Sequence, residues 1–161
     1  MRAFHDNLQK KKNSQGIEII VAKADIPKDT VVFEFKGNIF KRSKLPNNNW
    51  QDYLQIDKDL FLGMSGDLDD IIRHSCNPSC WIKIVGRRAL LISRHFIKAG
   101  SEITFDYSIT STQEPSEWSM QCNCGVYTCR KIISGYRHLN ENIRKHYEAA
   151  NIVPQYVKEV K

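Results

Sequence analysis

Three cysteines fall within eight residues in Cys122-Asn-Cys124-Gly-Val-Tyr-Thr-Cys129, and this spacing constrains the fold more than any other feature of the chain. Thiols crowded this closely are seldom ordinary core residues, and they point to a metal or to disulfides. Met1–Asp6 leads into Lys10-Lys11-Lys12 rather than an apolar run. A secretory signal is therefore not expected, and disulfides are the poorer reading. Zinc prefers a closed tetrahedron of four thiolate or imidazole ligands, with sulfur at about 2.3 Å. The three local thiols thus ask for a fourth, and Cys76 and Cys80 are the other two of the five cysteines. A structural zinc site is expected.

The 161 residues suit one domain, with apolar residues at 41% supporting a single core. No stretch of 18 apolar residues occurs, so a membrane span is not expected. Lys plus Arg is 24 against 18 for Asp plus Glu, a net +6. That charge suits nucleic acid or an acidic partner and would repel a strongly basic substrate at long range. The Lys10–Lys12 run reads as part of a polar, flexible N-terminal arm over 1–15.

β-Branched and aromatic runs predict short strands at Ile17–Ala22 and Thr30–Phe35, with a turn at Ile26-Pro27-Lys28-Asp29 between them. Tyr53–Ile56 and Asp59–Leu62 form a further pair after a loop at Pro46–Asn49. Cys80–Val85 and Ala89–Ser93 flank Gly86-Arg87-Arg88 as a hairpin, and Ser101–Phe105 follows the Ala99-Gly100 turn. Ser108–Gln121 reads as a loop. Leu139, Ile143, Tyr147 and Ala150 make one apolar helical stripe, with Asn140 as cap, Glu141–Lys145 and Arg144–Glu148 as supporting pairs and Pro154 as the stop. The class is mainly β with a C-terminal helix.

Three segments together resemble the SET-domain protein lysine methyltransferases. Arg73-His74-Ser75-Cys76-Asn77-Pro78-Ser79-Cys80 is similar to that family's Asn-His-Ser-Cys-x-Pro-Asn-Cys segment. Gly100-Ser-Glu-Ile-Thr-Phe-Asp-Tyr107 is similar to its Gly-Glu-Glu-Leu-Thr-(Tyr/Phe)-Asp-Tyr signature, and Cys122–Cys129 with Arg130-Lys131 to its post-SET zinc motif. Upstream, Glu34-Phe35-Lys36-Gly37-Asn38-Ile39 and Tyr53-Leu-Gln-Ile-Asp57 are similar to runs of the trithorax branch. The resemblance covers about 16–134 and implies a SET-domain β-clip of several small sheets with a pseudoknot, in which Arg73–Cys80 threads beneath a later loop. It divides the chain into an arm at 1–15, a SET domain at 16–110, a post-SET zinc segment at 111–134 and a helical extension at 135–161.

The resemblance implies methyl transfer from S-adenosylmethionine to a lysine ε-amine. Tyr107 matches the catalytic tyrosine, Phe105 the position where the family varies between Tyr and Phe, and Phe35 a wall of the lysine channel. A Phe at 105 implies di- or trimethylation. The cofactor pattern maps onto Gly16, Glu18, Tyr53, Arg73, His74, Asn123 and Ile133. Zinc would take Cys76, Cys122, Cys124 and Cys129, leaving Cys80 as a buried spare. Two departures stand out: the family's Gly-x-Gly is reduced to Gly16-Ile17-Glu18, and Arg73 replaces an Asn. Arg73 could pair with the cofactor's carboxylate or fill the space the Asn leaves. The alternative is a weakly active or silent SET module that binds peptide or chromatin. A zinc ribbon for nucleic acid leaves Gly100–Tyr107 unexplained. The implied partner is a protein carrying a target lysine, foremost a histone tail, with nucleosomal DNA as a further contact and no membrane. The implied location is intracellular, and nuclear if histones are the substrate.

Overall fold

The computed structural model describes residues 4–45 and 52–160. The expected loop at Pro46–Asn49 lies outside these. Among the described residues, twelve short strands make five small sheets. β1 (Leu8–Lys12) pairs with β2 (Glu18–Ala22). β3 (Val31–Glu34) joins the hairpin of β8 (Cys80–Val85) and β9 (Arg88–Ser93) in the order β3-β9-β8. β4 (Ile39–Lys41), β5 (Leu54–Asp57) and β6 (Leu60–Leu62) form a third sheet in the order β4-β6-β5. β7 (Arg73–His74) pairs in parallel with β10 (Thr104–Phe105), and β11 (Met120–Gln121) pairs with β12 (Ile132–Ile133).

The core rests on period-two patterning. On the β8–β9 hairpin, Cys80, Ile82, Ala89, Leu91 and Ser93 are buried, while Lys83 and Arg88 stand outside. Gly86, at φ +60, opens the hairpin turn in a conformation that suits glycine at its first central position. Ser93 resolves its own burial by donating from Oγ to Pro27 O at 2.6 Å and accepting from Thr30 N at 2.9 Å. The predicted turn at Ile26–Asp29 is thereby closed from the neighbouring strand.

Residues 8–12 depart from the expected flexible arm. Leu8 is buried, and β1 runs in full register from Leu8 opposite Ala22 to Lys12 opposite Glu18. A lysine run can sit in a strand when only one end faces the core and the heads stay in water. Ser101–Phe105 is strand only at its last two residues, and those pair with a segment some 30 residues earlier. Ser79 adds further ties there: its N–H donates to Thr104 Oγ1 at 3.1 Å and its Oγ donates to Glu102 O at 3.0 Å. These long-range ties hold Arg73–Cys80 against the Ser101–Tyr107 segment, as the β-clip requires.

Helix α1 (Glu141–Ala149) starts where expected, with Asn140 Oδ1 accepting from Asn142 N at 2.8 Å and Lys145 pairing with Glu141 at 2.7 Å. Leu139 and Tyr147 are buried and Ile143 packs beside them, whereas Ala150 is exposed. The Arg144–Glu148 pair does not form; Glu148 Oε1 instead accepts from Tyr136 Oη at 3.2 Å. Pro154 does not stop α1 either. The chain has already turned at Asn151, φ +53, and Pro154 instead leads into a second short helix, α2 (Gln155–Lys158). No described helix is long and apolar enough to cross a membrane.

Candidate active site and metal centre

Two cavities lie on either side of the β7–β10 pair. The first, of about 320 Å³, is lined among others by Phe35, Tyr53, Leu62, Ile72, Phe105 and Tyr107. The second, of about 450 Å³, is lined among others by Gln15, Arg73, His74, Glu102, Asn123 and Val126. The partition is therefore two residues of parallel strand deep: β7 faces one space, and Phe105 with Tyr107 faces the other.

Tyr107 lies at this partition and lines the first cavity. Its main-chain N–H donates to His74 Nδ1 at 3.2 Å, and its hydroxyl donates to Ile72 O at 2.7 Å. Burial pushes the hydroxyl up to about 12, so it stays protonated at neutral pH. The rings of Phe35 and Phe105 meet edge-on at 5.4 Å, and Phe105 lies 4.8 Å from Tyr107. Together they give the first cavity one aromatic wall, while Lys36, Asp52, Asp69 and Asp70 also line it. Burial pulls His74 down to about 4 against the nearby Asp106 charge, so the ring is neutral. Nδ1 accepts from Tyr107, which leaves Nε2–H to donate to Cys76 Sγ at 3.3 Å.

Asp106 lies fully buried beneath these groups. It accepts two hydrogen bonds from Arg130, at 2.6 and 2.7 Å, and one from Tyr147 Oη at 2.6 Å. Burial alone would raise its carboxyl, but the Arg130 hydrogen bonds and charge, helped by the Tyr147 hydrogen bond, hold it below the usual range. This one carboxylate ties the residue before Tyr107 to the residue after Cys129 and to helix α1. The motif contains Asp106 and Arg130, yet nothing in their spacing announces that they meet.

The four sulfurs of Cys76, Cys122, Cys124 and Cys129 all lie within 4.8 Å of one another, and Cys76 Sγ is 3.7 Å from Cys122 Sγ. A regular tetrahedron with bonds of about 2.3 Å has edges of about 3.8 Å, so these residues fit zinc. Burial raises the Cys76 and Cys122 thiols. Burial also opposes ionisation of Cys124, but main-chain hydrogen bonds from Cys76 and Val126 and the neighbouring thiols outweigh it and bring Cys124 to about 7. Cys80 stands apart, wholly buried, with burial pushing its thiol up to about 12. The choice between Cys76 and Cys80 left open by spacing thus falls to Cys76.

The structure brings Phe35, Phe105 and Tyr107 together in the first cavity, and Arg73, His74 and Asn123 in the second. Tyr53, expected with the second group, lines the first, where its ring meets Phe40 edge-on at 5.8 Å. Gly16 lies within the β1–β2 turn, whose Asn13 and Gln15 reach the second cavity, and Glu18 opens β2 with its carboxylate paired to Lys10 at 3.5 Å. Ile133 is buried on β12 and is not among the residues lining either cavity. Arg73 lies 3.7 Å from Glu102, so the substituted position is already charge-paired.

The SET-domain family model matches residues 18–108, more than half of the chain. This chain belongs to the SET-domain family. Its SET domain thus takes in both sides of the partition, while the four-cysteine cluster draws three of its ligands from beyond the matched span. Histone-lysine N-methyltransferase 2D of Homo sapiens is 28% identical over 132 residues, covering 73% of this chain and 2% of that protein. The H3 lysine-36 specific histone-lysine N-methyltransferase of Schizosaccharomyces pombe is 27% identical over 154 residues, covering 86% of this chain and 18% of its own length. Among solved structures, KRYPTONITE in complex with mCHG DNA and SAH superposes with a TM-score of 0.66 at 20% identity, covering 80% of this chain and 29% of that one. A second KRYPTONITE complex, with mCHH DNA, H3(1-15) peptide and SAH, gives 0.63 at the same 20% identity. The chain spans less than a third of each of these proteins, and the solved structures speak for its fold.

Proposed function

We propose that this SET domain is an S-adenosylmethionine-dependent protein lysine methyltransferase acting on histone tails, within the nucleus. The observation that carries the reading is the partition. A group can pass directly between two ligands only where their two spaces meet end to end, with donor and acceptor aligned. Here a cavity walled on one side by aromatic rings and a second, charged cavity lie against the same two-residue β7–β10 pair, with Tyr107 just beyond its end. The relatives named above support the same chemistry.

Bound S-adenosylmethionine would supply a methyl group on a sulfonium. Its amino-acid end suits Arg73 and Glu102, with His74 and Asn123 beside them, in the second cavity. The chain's own task concerns the amine. A lysine of pKa about 10.4 is only about 0.1% neutral at pH 7.4, and only the neutral form carries a lone pair. An apolar wall of Phe35 and Phe105 disfavours the ammonium and so enriches the reactive form. Tyr107, protonated and anchored on Ile72 O, presents its hydroxyl oxygen as a fixed point that orients the amine. No side chain with the pKa of a general base is needed, and alignment carries the rate. With Phe rather than Tyr at 105, the channel keeps room for an already methylated nitrogen, which favours di- and trimethylation. Zinc on Cys76, Cys122, Cys124 and Cys129 would fasten the segment bearing Asn123 against the second cavity.

The Arg73–Glu102 pair within the cofactor space gives substance to the second reading, a silent SET module that holds peptide or chromatin. Label transfer from methyl-labelled S-adenosylmethionine to core histones, with Tyr107→Phe as control, decides between them. Transfer by wild type alone supports the enzyme. Absence of both transfer and calorimetric cofactor binding overturns it.

A further inference from the structure

The segment 135–160 follows the four-cysteine cluster, lies beyond the matched SET span and lines neither cavity, yet it is bonded to residues that line the first. Tyr136 N–H donates to Ser111 O at 2.9 Å. On α2, Tyr156 is 7% exposed, and its hydroxyl stands 2.9 Å from Gln55 O and 2.7 Å from Thr110 O. Gln55, Thr110 and Ser111 all line the first cavity. Gln55 follows Tyr53 and Leu54 on β5, and Thr110 directly follows the helical turn Tyr107–Ile109. One hydroxyl thus reaches two segments of the cavity lining that are far apart in the chain, one carrying Tyr53 and the other Tyr107.

A phenol has one proton to donate, so the two carbonyls share it in a three-centre bond. Both carbonyl oxygens carry negative partial charge and sit in a buried place, where an acceptor left without a donor is costly. The shared proton therefore draws together two groups that would otherwise move apart. Burial raises the Tyr156 hydroxyl well above its ordinary value, so the proton stays in place at neutral pH. The Gln55 side chain ties the same seam from within: Oε1 accepts from Thr112 N at 2.9 Å, and Nε2 donates to Thr112 Oγ1 at 2.8 Å. We propose that Tyr156 is a positioning residue for methyl transfer, whose hydroxyl locks β5 to the turn bearing Tyr107 and so fixes the spacing of the lysine cavity. The proposal rests on reading the first cavity as the lysine site. It adds that a side chain outside the SET domain, in contact with neither substrate nor cofactor, sets the alignment on which the rate depends.

Tyr156→Phe keeps the ring and its packing and removes only the shared proton. A displacement of 1 Å at a reacting group costs on the order of a hundredfold in rate, so a shift of a few tenths of an ångström should lower kcat about tenfold. KM for S-adenosylmethionine should stay within about twofold of wild type, on the same scale, because Gln55 and Thr110 line the first cavity and not the second. The probe is a synthetic peptide of whichever histone tail the wild type labels, followed by steady-state kinetics. Hydrogen exchange supplies a readout independent of turnover: amides of 54–57 and 107–112 should exchange faster, while those of the β8–β9 hairpin keep their protection. Val157→Ala is the control. It removes buried methyl groups from the same short helix and leaves the hydroxyl, so it should lower the unfolding midpoint without the fall in kcat.

A fall in kcat and faster exchange confined to the two tied segments, both absent in Val157→Ala, support the proposal. Wild-type kcat in Tyr156→Phe, or an equal loss in Val157→Ala, overturns it, since the hydroxyl then does no more than stabilise the fold. A Tyr156→Phe chain that does not fold overturns it in the same way. If the wild type labels no histone and binds no S-adenosylmethionine, the enzymatic reading fails and this proposal with it. If the wild type labels and Tyr156→Phe matches it, only the proposal fails.

Discussion

Asp106 and Arg130 invite the most direct test of how this site is held. The pair is nearly dry: the Arg130 side chain is 14% exposed and that of Asp106 0%, with two hydrogen bonds of 2.6 and 2.7 Å between them. Arg130→Met would leave a buried carboxylate supported only by Tyr147 Oη at 2.6 Å and Ser108 N at 3.0 Å. Asp106→Asn would leave a buried guanidinium without its counter-charge. Either single change removes one partner of a buried pair, which costs about 3–5 kcal/mol. For a chain of this size that is a fall in unfolding midpoint of roughly 6–20 °C. The double variant removes both charges at once and spares the desolvation of an orphan. It should therefore be less damaging than the sum of the singles by at least about 2 kcal/mol. Tyr147→Phe serves as a gentler probe, deleting one hydrogen bond to a charged group at about 1.5–3 kcal/mol. Urea unfolding of the zinc-loaded, reduced protein measures all four. Singles and double that add within about 0.5 kcal/mol would refute the reasoning, since independent sites add and coupled charges do not.

Stripping zinc with a chelator should loosen 120–133 while the β8–β9 hairpin keeps its amide protection, and hydrogen exchange reads both; equal loss across the chain would contradict a local clamp. Tyr107, raised to about 12 by burial, stabilises the fold below the unfolded value near 10 and gives up about 3 kcal/mol as pH rises from 10 through 12. Tyr147 and Tyr156, also raised by burial, act in the same direction, so alkaline unfolding should begin above pH 10 and be blunted in Tyr107→Phe. Phe105→Tyr adds a hydroxyl beside the Phe35 and Tyr107 rings and should shift the product toward monomethyl-lysine by mass spectrometry. Gly37→Ala should cost roughly 3 kcal/mol or more, because its φ is +134 and a Cβ there would meet Gly63 O at 2.0 Å; an unchanged unfolding midpoint would count against this close approach.

What could be read from the residues, and what could not, divides along sequence distance. The β8–β9 hairpin was legible because its alternation and its turn glycine sit within fourteen residues and state the same answer twice. The α1 cap at Asn140 was legible for the same reason. The Lys10–Lys12 run misled because three solvated heads say nothing of Leu8, whose burial anchors β1. β7 and β10 carry two residues each, too few for any periodicity, and they are joined only through pairing between Arg73 and Thr104 and between His74 and Phe105. The metal site shows both sides at once. Its three clustered thiols declare themselves, while the fourth comes from 46 residues upstream and was assigned through family resemblance rather than spacing. Asp106 was the least legible, since its partners Arg130 and Tyr147 lie 24 and 41 residues away and each alone reads as an ordinary surface or core residue. A site assembled almost wholly from such distant ties has a consequence for stability. Loss of the zinc segment or of α1 should act on Tyr107 through Asp106 before it acts on the sheets, so activity should fail at lower denaturant than the core does. Coincident loss of methyl transfer and of β-sheet signal across a urea series would argue instead that the site and the core are one cooperative unit.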